Sequence, residues 1–403
     1  SRMNEHGGIK MRQVAVIGVG AHPWGKFEDK TFLDLGVVAV RNALKDAGMK
    51  WTDIQALVSG LVVFGGNTGF NPGQTLAAVM GETGIPVTNI WNMCATATSA
   101  FRTAYNIVAS GERDTCMAVG LDMSPRGFLP ALGAPDDRQS EYLRWRMMGL
   151  SNPGYWAMEC RKRMIKYGTT ERHLAKAKVA CSKHAVLNPA ALYKKIYTEE
   201  EVMNSPAVCE PLRLYNICAT RDGAAAAIIC SMEKTKKFTG KPIKVAGVGL
   251  GSSLYGDPTL RLGYLSCPTE GTAPILSESY MSARMAYDLA GIGPEDIDFV
   301  EVPDNSSWHY LQYLETMGFC GPGEADRMLD EGQTMIGGKL PVCPSGGASS
   351  FGEAVAAQGL LQVAELVTQL RGEAGDRQVD NAKVGMAQTY GMLGNSAAVI
   401  LNR

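Results

Sequence analysis

The chain has 403 residues, 45% of them hydrophobic and 20% charged, and a formal charge of −1. That length allows two or more domains of ~100–200 residues and a large buried core. A near-neutral chain without blocks of like charge does not fit nucleic acid as a partner, and no apolar run reaches the ~18–20 residues of a bilayer span.

Ten cysteines are scattered without a CxxC pair or a Cys/His cluster. Neither a disulfide framework nor a metal site is therefore expected in this chain. Ser1-Arg2-Met3 reads as a remnant ahead of a later start, no signal peptide is visible, and a reducing cytoplasm is the expected compartment.

In chain order, Val16-Ile17-Gly18-Val19-Gly20 reads as a first strand running into a glycine turn. It lacks the third glycine and the acidic partner of a dinucleotide fingerprint. The segment Arg41–Met49 reads as a helix ending in Ala47-Gly48, followed by Asp53-Ile54 and an apolar strand. The same order returns later as Val245-Ala246-Gly247-Val248-Gly249, Arg284–Ile292 and Asp296-Ile297. Two such units predict a duplicated α/β architecture with buried sheets and covering helices.

Asn92-Met93-Cys94-Ala95-Thr96-Ala97-Thr98-Ser99-Ala100 sets a cysteine before small residues. A helical run then leads to Ala109-Ser110-Gly111-Glu112-Arg113-Asp114, and an apolar strand to Cys116–Ser124. The pattern places Cys94 on a tight turn at a helix start, where backbone N–H groups and the helix dipole favour a thiolate. A thiolate there attacks thioesters and splits acyl transfer into two easier steps. An isolated cysteine would read as a buried structural thiol; the surrounding segment favours the nucleophile.

This segment resembles the nucleophile segment of the thiolase superfamily: Cys, small residues, a helix, Gly-Glu/Asp-x-Asp, then a strand ending Gly-x-Asp/Glu-x-Met-Ser. The resemblance covers nearly the whole chain. It implies an α/β thiolase fold, with two pseudo-duplicated βαβαβ-type halves in α-β-α-β-α layers and an inserted loop domain. The implied division is 11–124 plus 215–240 for the N-terminal half, 125–214 for the loop domain and 241–403 for the C-terminal half.

Region 125–214 is basic and aromatic, as in Tyr142–Met148 and Lys194-Lys195-Ile196-Tyr197. A helix is predicted to start at Thr169-Thr170-Glu171-Arg172. In the family this segment covers the active site and contacts coenzyme A, which is a substrate. The composition equally fits a solvated helical face.

The second half departs from the family pattern. Where most thiolases carry Asn-Glu or His-Asp, this chain has Pro303-Asp304-Asn305, so Asp304 or Asn305 would polarise a carbonyl oxygen. Cys343 stands for the asparagine before Gly346-Gly347, and Gly352-Glu353-Ala354 stands for Gly-His-Pro. Glu353 can serve as general base if burial raises its pKa; alternatively it is the first-turn acid of a helix Ala354–Leu370. In the Cys-x-Gly motif Thr389 replaces the cysteine and Gly391 is kept, so Cys94 and Gly391 N–H groups would form an oxyanion hole. Tyr390 lies between and could donate a proton or pack.

These changes resemble the sterol-carrier and lipid-transfer-type branch of the superfamily, which includes degradative thiolases and steroid side-chain aldolases. The resemblance implies a CoA-dependent acyltransferase cleaving a 3-oxoacyl-CoA through acyl-Cys94, with 2-benzoylsuccinyl-CoA as a specific candidate. The alternatives are a retro-aldolase on a branched β-hydroxyacyl-CoA and a non-catalytic scaffold subunit. It further implies a homodimer, with Leu61-Val62-Val63-Phe64-Gly65 in the contact region, and a small zinc-ribbon/OB-fold partner subunit.

Overall fold

A computed structural model describes residues 11–61, 71–124, 151–238, 240–254, 277–392 and 394–403. Tyr142–Met148 and Val62–Gly65 lie outside the described residues. The strands are β1 (Val14–Gly25), β2 (Leu57–Leu61), β3 (Val87–Ile90), β4 (Thr115–Asp122), β5 (Ala207–Cys209), β6 (Leu212–Arg213), β7 (Asp222–Ser231), β8 (Ile243–Ser252), β9 (Phe299–Glu301), β10 (Val384–Gly391) and β11 (Asn395–Asn402). The helices of the N-terminal half are α1 (Phe32–Ala47), α2 (Pro72–Met80) and α3 (Thr96–Ala109). The inserted region contributes α4 (Asn152–Tyr167), α5 (Glu171–Ala185) and α6 (Glu199–Met203). The C-terminal half adds α7 (Ser277–Ala290), α8 (Ser307–Thr316), α9 (Ala325–Asp330), α10 (Ala348–Phe351) and α11 (Gln358–Leu370).

Nine of these strands form one mixed sheet in the order β3-β2-β4-β7-β1-β8-β11-β10-β9, and β5 pairs with β6 apart from it. Read outward from its middle, the series β1-β7-β4-β2 is mirrored by β8-β11-β10-β9. Directions match as well: the first two pairings on each side are antiparallel and the third is parallel. Even β3, parallel to β2, has a counterpart in the parallel bridge of Val300 to Val342. The halves join where Ala15 and Val16 of β1 pair with Lys244 and Ile243 of β8.

Helix α1 packs on β1, β7 and β4, and α7 packs on β8, β11 and β10. Between them, α3 and α11 touch strands of both halves and each other. This is the α-β-α-β-α layering of a thiolase fold. The two central helices cross tightly, because a Cβ on Gly359 of α11 would lie 2.0 Å from Thr98 Oγ1 of α3.

The repeated Gly-x-Gly is not a turn. Gly18 and Gly20 lie inside β1, Gly247 and Gly249 inside β8. A Cβ on Gly18 would sit 2.4 Å from the Ala43 carbonyl oxygen of α1, and one on Gly249 would sit 1.8 Å from that of Ser282 on α7. The glycines let each outer helix rest its backbone directly on the strand. Both helices then end on a glycine in the left-handed region, Gly48 at φ 65° and Gly291 at φ 69°, as C-terminal helix caps favour.

In the inserted region α5 starts behind its N-cap, Thr170. Helices α4 and α5 rest on α8, and α5 also touches α9 and α10. The buried Arg163 of α4 bonds Glu315 Oε1 on α8 at 2.7 Å and Asp326 Oδ1 on α9 at 2.9 Å. Removing one partner of a buried ion network strands the others without compensation. Arg163→Met should therefore cost about 3–5 kcal/mol in urea unfolding; a loss under about 1 kcal/mol would mean the network contributes no more than a surface pair.

Candidate active site

The turn carrying Cys94 is held by its own hydrogen bonds. Thr96 Oγ1 accepts from Asn92 N at 2.8 Å and donates to the Met93 carbonyl at 2.6 Å. Asn92 Nδ2 donates to Ser99 Oγ at 2.9 Å. Met93 takes φ 50°, a left-handed conformation uncommon outside glycine. Cys94 thus sits in a one-turn 3₁₀ segment, Met93–Ala95, directly before α3. Val355 and Ala356 cover its thiol.

Glu353 does not belong to a helix. The expected helix Ala354–Leu370 begins only at Gln358, and α10 ends at Phe351. Glu353 lies between them in an extended bridge to Thr220. Its N–H donates to the Ala219 carbonyl at 2.7 Å, and its carbonyl accepts from Arg221 N at 2.8 Å. The carboxylate enters the site beside Cys94 and Asn305, with Cys218 Sγ 4.0 Å from Oε2. Oε1 is buried and accepts no hydrogen bond among the described residues.

The charge state of Cys94 differs from the one expected at a helix start. Burial, and after it the Glu353 carboxylate, push its thiol well above the ordinary value. A helix terminus contributes about 0.3–1 kcal/mol, while desolvation of a buried group shifts a pKa by up to about 3–5 units, at 1.36 kcal/mol per unit. At rest the residue is a protonated thiol facing a proton acceptor. Burial also raises Glu353, with Cys94 and Asn305 holding it back.

Asp122 is a third acid of this interior, at the end of β4. Burial raises its pKa to about 7. Its Oδ2 accepts from Ala356 N at 3.2 Å and from Ser124 Oγ at 3.1 Å, which steadies the loop after Glu353. Asp122 and Cys218 were not singled out from sequence. The segment Gly120–Ser124 carries the Gly-x-Asp and the Met-Ser of the family pattern, one residue closer together; for Cys218 only its place before β7 was a signal.

The remaining candidates divide. Asn305 joins the cluster, its Nδ2 3.9 Å from Cys218 Sγ. Asp304, one residue away, is turned elsewhere: Oδ1 accepts from Ala348 N at 2.6 Å and Oδ2 from Ser349 N at 3.1 Å, at the start of α10. Gly391 lies against the nucleophile turn, since a Cβ there would approach the Asn92 carbonyl oxygen to 2.7 Å. Tyr390 OH accepts from Trp156 Nε1 at 3.0 Å. Burial, then Cys94 and Glu353, raise its pKa, so its own proton stays available. Thr389 Oγ1 is 2.7 Å from Thr98 Oγ1 in the central layer. His309 stacks near Tyr390 at 5.0 Å between ring centres, and burial lowers its pKa to about 3.

Cys181, Asp304 and Cys343 bring their ligand atoms within 4.8 Å of one another. Asp304 already accepts from two backbone N–H groups and lies 3.6 Å from Cys181 Sγ through Oδ2, and burial keeps Cys343 protonated. The trio fits a neutral thiol–carboxylate contact better than a cation site.

Two family profiles match the chain: the thiolase N-terminal domain over residues 14–233 and the thiolase C-terminal domain-like family over 270–403. The chain belongs to the thiolase family. It is 34% identical to the acetyl-CoA acetyltransferase of Methanothermobacter thermautotrophicus, over 96% of this chain and 99% of that protein. Human sterol carrier protein 2 is 32% identical over 97% of this chain and 72% of its own length. The benzoylsuccinyl-CoA thiolase subunit BbsB of Thauera aromatica is 32% identical over 94% and 95%.

Among solved structures, an Ltp2-ChsH2(DUF35) aldolase superposes with a TM-score of 0.83 at 25% identity, over 98% of this chain and 99% of that one. Human mitochondrial 3-ketoacyl-CoA thiolase in complex with CoA follows at 0.74 and 18%, covering 100% and 99%, which supports the fold. The protein is accordingly a thiolase-type acyltransferase. No helix among the described residues of this thiolase is long and apolar enough to cross a membrane.

Because Glu353 raises the Cys94 pKa, Glu353→Gln should lower it. The pH profile of Cys94 alkylation by iodoacetamide, read by mass spectrometry, should move to lower pH in that variant. A shift to higher pH would mean that Glu353 assists ionisation of the resting thiol.

Proposed function

We propose that this thiolase cleaves a 3-oxoacyl-CoA by thiolysis, with Cys94 as nucleophile and Glu353 as the single proton carrier. The observation that carries the reading is the buried, unpartnered Oε1 of Glu353 next to a protonated Cys94 thiol. As Cys94 Sγ bonds to the ketone carbon, its proton passes to Glu353. The Cα–Cβ bond then breaks, and the departing thioester enolate takes that proton. A second CoA thiol gives its proton to Glu353 and attacks the acyl-cysteine, and Cys94 leaves and recovers the proton. One carboxylate thus does in both half-reactions what family members divide between a histidine and a cysteine.

In this reading Cys94 and Gly391 N–H groups stabilise the oxyanion, and Asn305 and Tyr390 donate toward the developing enolate. Asp304 acts only by shaping the α10 turn. Segment 125–214 is the loop domain that lies over coenzyme A, between halves formed by 11–124 with 215–240 and by 241–403. The 32% identity to a benzoylsuccinyl-CoA thiolase subunit makes 2-benzoylsuccinyl-CoA the first substrate to assay, and a reducing cytoplasm suits a thiol nucleophile. Incubation with acyl-CoA should give an acyl adduct on Cys94, Cys94→Ala should abolish thiolysis, and Glu353→Gln should lower kcat by about 10²–10⁴-fold.

A retro-aldol reading has one specific observation behind it: Tyr390 keeps a free proton near Cys94 and Glu353, and the aldolase superposes well. There Glu353 would take the proton of a β-hydroxyl and no acyl-cysteine would form. Cleavage of a β-hydroxyacyl-CoA that survives Cys94→Ala would select it over thiolysis.

The assembly we propose is a homodimer joined by a small zinc-ribbon/OB-fold subunit. Among the described residues strand β3 is the edge of the sheet on the N-terminal side, and Trp91 just beyond it is 57% exposed, which suits pairing across a two-fold axis. The names of two relatives, a thiolase subunit and a two-component aldolase, motivate the second polypeptide. The purified chain alone should be a dimer by light scattering and should turn over substrate more slowly than the enzyme isolated from its native cells. A monomer, or equal turnover, would contradict the respective half of this assembly.

A further inference from the structure

A cavity of about 380 Å³ opens beside the site, walled by Tyr193, Tyr197, Tyr215, Cys218, Lys178 and Arg221. Its inner end is next to the reacting groups, because Cys218 lines it and lies 4.0 Å from Glu353 Oε2. Lys178, on α5, is only 6% exposed. Its Nζ donates to the Ser349 carbonyl at 2.6 Å and lies 5.1 Å from the centre of the Tyr197 ring. Arg221, at the entry to β7, donates to the Thr220 carbonyl and to Tyr193 OH, and lies over the Tyr193 ring.

Neither cation has a carboxylate partner among the described residues. The buried Asp304 is near enough for Lys178 to feel its charge but makes no direct ion pair with it. A buried ammonium with one hydrogen bond and no direct ion pair is incompletely compensated, and an anionic ligand would complete its contacts. Phosphates of CoA are one source of negative charge. They sit at the far end of the long pantetheine arm, whereas this cavity begins at the residue touching Glu353.

We infer that the cavity receives the acyl group of the CoA thioester, and that this group carries a free carboxylate bound by Lys178 with Arg221 beside it. The tyrosine walls hold the rest of the acyl group. The inference rests on the 3-oxoacyl-CoA reading above and adds to it a substrate class, the CoA thioester of a dicarboxylic 3-oxo acid. Charge-assisted hydrogen bonds give the ammonium its selectivity for that carboxylate.

The test compares 3-oxoadipyl-CoA with 3-oxohexanoyl-CoA, which share chain length and differ in the terminal carboxylate. Wild-type protein should prefer the former by about 10- to 100-fold in kcat/KM. In Lys178→Met the ratio should fall toward one, and Lys178→Arg should keep most of it. Circular dichroism checks that the variants fold, and Arg221→Gln should lower the ratio independently.

Calorimetric affinities of both thioesters and of free CoA, measured in a Cys94→Ala background, read the site without catalysis. A preference seen in binding and lost with Lys178→Met supports the carboxylate site even if neither thioester yields acyl-Cys94 or turnover, an outcome that would remove the thiolysis reading alone. Equal affinity for the two thioesters, a preference untouched by Lys178→Met, or a loss of free CoA affinity matching that for 3-oxoadipyl-CoA would overturn the inference. The last result would assign Lys178 to a CoA phosphate.

Discussion

The strip of backbone from Ile217 to Arg221 ties the two halves together at the site. On one side Ile217 bridges Ser306 and Cys218 N donates to the Asn305 carbonyl at 3.0 Å. On the other, Thr220 bridges Glu353 and paired N–H···O bonds of 2.7 and 2.8 Å close the contact. Cys218, Asn305, Ser306 and Glu353 are buried, and buried backbone groups require partners, so the strip cannot shift without unpairing its neighbours. It therefore sets Asn305, Cys218 and Glu353 at fixed places around Cys94, although they come from three distant parts of the chain. The same strip continues into β7, whose pairing with β1 and β4 anchors it in the N-terminal half.

Inside this frame the electrostatics favour neutral groups. Cys94, Glu353 and Asp122 all lie in a low-dielectric interior that disfavours their ionised forms; the Glu353 charge raises Cys94 and Asp122 further, while the Cys94 thiol eases ionisation of Glu353. Such a site does not store a thiolate. In the thiolysis we propose, a proton would pass between sulfur and carboxylate, with Glu353 in the place of a histidine. In the same proposal, backbone N–H groups of the tight turn would act on the oxyanion of the transition state, where preorganised donors matter most.

The internal symmetry makes the asymmetry of function visible. Met93 follows β3 and Cys343 follows the bridge at Val342, and both hold φ 50°. In the first half this turn presents Cys94 to the site. In the second half the left-handed residue is itself a cysteine, and its buried thiol lies 3.6 Å from the Val302 carbonyl oxygen. The two turns share a backbone conformation, and the second carries a cysteine at the position of Met93.

Local sequence determined the elements. Small residues after Cys94, the Ala-Gly helix ends at 47–48 and 290–291, and the repeated apolar strands are short-range patterns, and they made the duplicated fold and the turn that carries Cys94 legible. The glycines of β1 and β8 were legible as special, but their reason was not: they admit a helix backbone whose position depends on the whole layer. Tertiary structure alone decided which acid enters the site. Asp304 and Asn305 are adjacent in sequence, yet the N–H groups of Ala348 and Ser349 draw the first away and leave the second beside Glu353. It also freed Glu353 from the helix expected after it, by pairing its backbone with Thr220. The Cys94 charge state and the unpaired Lys178 follow from burial among groups brought together over long sequence distances, and burial is a property of the packed chain rather than of any segment.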